Sequence, residues 1–71
     1  MVEVFKTNVE DHQQAKILLE EIHKVFTGYK ANFDLDDCDN ILRVQSAGTV
    51  QTRSLISLLK DFGSAAEVLP D

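Results

Sequence analysis

Val2-Glu3-Val4-Phe5-Lys6-Thr7 mixes β-branched and aromatic residues with charges at alternate positions, the pattern of a half-buried strand. Two apolar sets compete for its inward face, Val2/Val4 and Phe5/Thr7/Val9. From Asp11 to Phe26 the period changes to that of a helix. Ala15, Leu18, Leu19, Ile22, Val25 and Phe26 form one stripe, and Gln13, Lys16, Glu20, His23 and Lys24 lie largely off it. Glu20 and Lys24 form an i,i+4 pair in the favourable order, worth ~0.2–0.5 kcal/mol. Gly28 is placed to stop this helix in the left-handed conformation.

Tyr29, Ala31, Phe33 and Leu35 then alternate with Lys30, Asn32, Asp34 and Asp36, which predicts a strand with one apolar face. Asp37-Cys38-Asp39-Asn40 supplies turn residues, and Ile41 to Gln45 returns as a second strand, so the pair reads as a hairpin. Ser46-Ala47-Gly48-Thr49 breaks the chain. Thr49 or Thr52 is placed to cap a helix ending near Phe62, with Leu55, Leu58, Leu59 and Phe62 at core spacing. Gly63 closes it, and Ala65 to Leu69 forms the last strand.

The order strand, helix, strand, strand, helix, strand is two split β-α-β units. It predicts an α+β, ferredoxin-like βαββαβ sandwich over residues 1–71, a single domain whose antiparallel four-stranded sheet carries both helices on one face. No linker, low-complexity tract or repeat interrupts it. A chain of 71 residues buries only about 60% of the surface its unfolded form exposes, so stability is modest. Apolar runs such as Ile41-Leu42 and Leu58-Leu59 are far short of the roughly 20 residues that span a bilayer, so membrane insertion is not expected.

Charge narrows the set of partners. Seven Lys+Arg against twelve Asp+Glu give a formal net charge of -5, which disfavours nucleic acid, where affinity comes largely from cationic contacts. The single cysteine, Cys38, forms no intrachain disulfide, which suits a reducing, cytoplasmic setting.

Phe5-x-Thr7-x-Val9, the helix positions Ala15, Leu18 and Ile22, and the run Ser54-Leu55-Ile56-Ser57-Leu58-Leu59-Lys60-Asp61-Phe62-Gly63 with Ala66-Glu67-Val68 give the chain a resemblance to heavy-metal-associated domains, the small fold of copper chaperones. The likeness covers nearly the whole chain, mainly at core and cap positions. It implies a Met-x-Cys-x-x-Cys loop between the first strand and first helix, whose thiolates suit soft ions such as Cu(I). Val9, Asp11 and Gln14 stand at those positions. A carboxylate and an amide are hard, oxygen-based ligands, so the motif is absent and no cofactor is expected. The same pair also has a structural use: Asp11 is a good N-cap, and Gln14 three residues on completes a capping-box arrangement.

The ferredoxin-like topology places the Asn8–Gln14 loop, the Asp36–Asn40 hairpin tip and the end of the second helix at one pole. Glu10, Asp11, Asp36, Asp37, Asp39 and Asp61 would share it with His12 and Cys38. Within that group Glu10, Asp11, His12 and Asp37 are the candidate ligands for a divalent cation held by oxygen and nitrogen. Against this, Asp and Asn are ordinary turn residues, and acids are favoured at helix starts. His23 reads as a surface residue, and Cys38 among aspartates is a poor nucleophile because negative charge opposes its thiolate.

No nucleophile–base–orienter spacing is present, so no catalytic residue is assigned and an enzyme is not expected. An acylphosphatase-like reading lacks its Arg and phosphate-cradling turn, and an RNA-recognition reading lacks aromatic central strands. A phosphocarrier reading lacks an Arg beside His12. The expected function is a small non-enzymatic binding or interaction protein. It would meet a protein partner or a second copy through the open sheet face, using Ile41 and whichever of Val2/Val4 or Phe5/Thr7 is not in the core. Alternatives are metal ion binding or transport-related work through the acidic pole, or a regulatory module resembling the amino-acid-binding ACT domain.

Overall fold

A computed structural model describes residues 1–36 and 40–70. The elements are β1 (Val2–Thr7), α1 (His12–Val25), β2 (Lys30–Asp34), β3 (Ile41–Gln45), α2 (Thr52–Asp61) and β4 (Ala66–Val68). The strands form one antiparallel sheet in the order β2-β3-β1-β4, the ferredoxin-like βαββαβ arrangement. The final strand is shorter at both ends than Ala65–Leu69, although the Leu69 N–H still donates to the Val4 carbonyl at 2.8 Å.

Cross-strand register settles the face of β1. Phe5 lies opposite Leu42, and both are fully buried beneath the helices with Val9 and Val44. Thr7 is also buried, whereas Val2 is 51% exposed, so Val2 and Val4 lie on the open face. Each strand alternates in this way because a sheet covered on one side buries every second residue. Ala31 on β2 is buried, with Phe33 and Leu35 packed partly against the same core. Ile41 is the exception: it points to the open face yet is only 7% exposed, between its cross-strand neighbours Lys6 and Asp34.

The helices deliver Ala15, Leu18 and Ile22 from α1 and Leu55 and Leu59 from α2 to the core. Both helix ends differ from the sequence expectation in detail. Val25 falls outside the buried stripe because α1 ends there, and the chain then turns through Phe26 to Tyr29, whose rings stack at 4.9 Å. Gly28 does not take the left-handed conformation expected of it; the Tyr29 N–H reaches the Phe26 carbonyl instead. Neither Thr49 nor Thr52 caps α2. Gln51 is the N-cap, without a side-chain cap bond, and its N–H donates to the Tyr29 hydroxyl at 2.8 Å.

Gly63 ends α2 as expected. Its φ of 82° lets its N–H reach the Lys60 carbonyl and that of Ser64 reach the Leu59 carbonyl, a Schellman closure. The chain leaves the helix so early that Phe62, expected in the core, is 42% exposed. No helix among the described residues is long and apolar enough to cross a membrane.

Candidate functional site

The loop after β1 is tied to the two neighbouring turns by side chains. The Thr7 hydroxyl donates to the Asn40 carbonyl at 2.6 Å and accepts from the Val9 N–H at 3.2 Å, joining β1 to the residue that enters β3. Asn40 has a φ of 50°, a left-handed conformation that asparagine tolerates. On the other side, the Asn8 N–H donates to the Ala65 carbonyl, and the Ala65 N–H returns a bond to Asn8 Oδ1 at 2.8 Å. The Asn8–Gln14 loop, the start of β3 and the α2–β4 turn therefore meet at one pole.

Asp11 is the N-cap of α1, its Oδ1 accepting from the Gln13 N–H at 2.9 Å. Gln14 does not close a capping box. Its Nε2 donates to Ser64 Oγ at 2.7 Å, and Ser64 is only 5% exposed. An amide at this position gains more by bridging α1 to the buried hydroxyl than by folding back to a cap that is open to water. Ser64, Asn8 and Thr7 are thus the residues that build this pole, and none was singled out from sequence for that role.

Glu10, Asp11 and His12 are consecutive and exposed at the start of α1, and Asp36 is exposed after β2. Asp61, the last residue of α2, also lines a cleft between the helices with Val25, Phe26, Arg53, Ser54, Ser57 and Leu58. Among the described residues no three His, Cys, Asp or Glu side chains come together to hold a metal ion. Asp37, Cys38 and Asp39 lie outside the described residues. His23 is exposed, as expected of a surface residue, but it is also engaged: Nε2 accepts the Ala31 N–H at 3.0 Å.

The class defined by this architecture is a ferredoxin-like βαββαβ sandwich. Among solved structures, the chain is similar to a copper transporter domain of yeast determined in solution in its apo and Cu(I)-loaded states, with a TM-score of 0.79 and 17% identity. The match covers 99% of this chain and 96% of the yeast domain, and at that identity it shows the fold alone. No protein-family model matches the sequence. No curated protein matches it either.

Among the described residues, the side chains of Asp11 and Gln14 in this loop are both engaged in hydrogen bonds. They offer oxygen and nitrogen, hard donors; the Asp11 carboxylate serves the helix cap, and the Gln14 amide serves Ser64.

Proposed function

We propose that this protein is a non-enzymatic binding or interaction module, a heavy-metal-associated-like fold that does not use the thiolate chemistry of its loop. The observation that carries this reading is the engagement of Asp11 and Gln14, the positions that the resemblance matches to the thiolates, in hydrogen bonds of their own, the first capping α1 and the second bridging it to the α2–β4 turn. With the fold's binding loop given over to structure, the open sheet face is the surface left for a protein partner. Val2 and Val4 lie there beside Lys6 and Arg43, and the burial of Ile41 makes its apolar part smaller than the sequence implied.

The test is a titration with Cu(I) against a competing chelator, and with Zn(II), Ni(II) and Ca(II) followed by amide NMR shifts. The expected result is no competition for Cu(I), no saturable shifts at residues 8–14, and a melting temperature unchanged by chelators. The second reading, a cation handler using oxygen and nitrogen, is favoured by Glu10, Asp11 and His12 being consecutive and exposed. Asp11→Ala separates the two. As a lost cap it lowers stability by ~1 kcal/mol with no change in metal response, whereas as a lost ligand it weakens binding.

A further inference from the structure

We infer that the outer edge of β2 is a pairing site for a second copy of this chain, held shut by His23. This goes beyond the open-face reading, since it uses the strand edge and its backbone. β2 is an edge strand, bonded to β3 on one side only. Its Ala31 N–H points away from β3, because it donates to His23 Nε2 at 3.0 Å. In an antiparallel ladder, alternate residues direct their backbone groups to the same side, so those of Phe33 point outward with those of Ala31. Exposed edges of this kind template strand addition unless something blocks them. Here an imidazole from α1 occupies one of the outward donors.

The sequence of β2, Lys30-Ala31-Asn32-Phe33-Asp34, selects the occupant. Place a second copy antiparallel about a two-fold axis through Asn32. Ala31 then lies opposite Phe33 of the second copy, and the outward groups of these residues are the ones such a register needs for each pair to exchange both backbone hydrogen bonds. The same register sets Lys30 opposite Asp34 of the second copy, and Asp34 opposite its Lys30. Both side chains are exposed on the open face, because Ala31 between them faces the core. Hydrogen-bond direction and charge thus converge on one register, and shifting it by one residue aligns inward-pointing backbone groups with outward ones.

His23 controls access. Accepting an N–H requires an unprotonated Nε2, so the proton of the neutral ring is on Nδ1. A protonated imidazole has no acceptor and releases the Ala31 N–H. On α1, Glu20 precedes it by one turn and Lys16 by two, and Lys24 follows it directly. From β2, Lys30 and Asp34 lie on the opposite sheet face. His23→Gln keeps a side-chain acceptor, and His23→Ala opens the edge.

Sedimentation of the full chain and its variants tests this, with amide exchange locating the contact. His23→Ala is expected to associate about thirtyfold more tightly than wild type, the worth of freeing two backbone N–H groups per dimer, one from each copy, at about 1 kcal/mol each. In that background Lys30→Asp places like charges opposite each other at both symmetry-related positions and weakens association about tenfold. Adding Asp34→Lys restores it, with Ala31 and Phe33 amides protected in the dimer.

His23→Gln, which keeps a side-chain acceptor for the Ala31 N–H, should associate no more tightly than wild type. The inference is overturned if His23→Ala associates no more tightly than wild type, or if the charge swap has no effect. Association of His23→Gln as tight as that of His23→Ala overturns the gate, and where His23→Ala does not fold, protection that is absent from Ala31 and Phe33 in any wild-type dimer overturns the edge. Protection on the Val2/Val4 face instead of at Phe33 would assign any dimer to the open face and refute the edge.

Discussion

Replacing Gln14 with alanine removes the bond that most clearly separates a structural pole from a binding loop. The Nε2–Oγ distance is 2.7 Å, and Ser64 is 5% exposed, so water cannot readily take the place of the amide. A typical net hydrogen bond contributes ~0.5–1.5 kcal/mol, and leaving a buried hydroxyl unsatisfied raises the cost toward ~1–3 kcal/mol. Alanine recovers a few tenths through its slightly better helix propensity, roughly 0.2–0.4 kcal/mol. The balance is a loss of about 1–2 kcal/mol, which for a domain this small lowers the melting temperature by about 5–15 °C.

Urea and thermal unfolding of Gln14→Ala, Ser64→Ala and the double variant measure this directly. If the bridge is real, Gln14→Ala is much less damaging once Ser64 is already alanine, and the cycle returns a coupling of about 1 kcal/mol. Additive costs within ~0.3 kcal/mol would refute the reasoning. Metal response should be unaltered throughout.

Thr7→Val keeps the shape of the side chain but leaves the Val9 N–H, in a fully buried residue, without its acceptor. Urea denaturation should show a loss of about 2–3 kcal/mol, and a loss under ~0.5 kcal/mol would contradict this role. The two helix-following glycines should behave oppositely in thermal melts, since neither has a neighbouring atom within 4 Å of an added Cβ. Gly63→Ala should cost about 1–2 kcal/mol because its φ is 82°, whereas Gly28→Ala should be neutral or stabilising by up to ~1 kcal/mol. Tyr29→Phe withdraws the hydroxyl that accepts from the Gln51 N–H, and should cost about 1 kcal/mol with faster exchange of the first α2 amides.

The fold was legible because its signals are local and periodic. Alternation over residues 29–36 and the stripe through Ala15, Leu18 and Ile22 depend only on neighbours a few positions away. The face of β1 was not, since Val2/Val4 and Phe5/Thr7/Val9 are both acceptable alternations. The pairing of Phe5 with Leu42, 37 positions along the chain, decides between them. The helix ends failed for a related reason. Gly28 and Thr52 have the right chemistry for a stop and a cap, but Phe26 stacking on Tyr29, and Tyr29 reaching Gln51, supply alternatives that no local window contains.

The same distinction governs the pole. Asp11 performed its local task and capped the helix, as a residue reading only its next few neighbours should. Gln14 had an equally good local task in the capping box and was taken by Ser64, 50 residues away. Cap closure there would tie α1 only to its own first turn, while the bridge ties it to the α2–β4 turn, beside the Asn8–Ala65 exchange. Together with Thr7 and Asn40, these bonds fix the loop to both of its neighbours through groups that offer no sulfur. The surfaces we propose for a partner are the open face and the β2 edge, where Ala31 directs its outward N–H to His23.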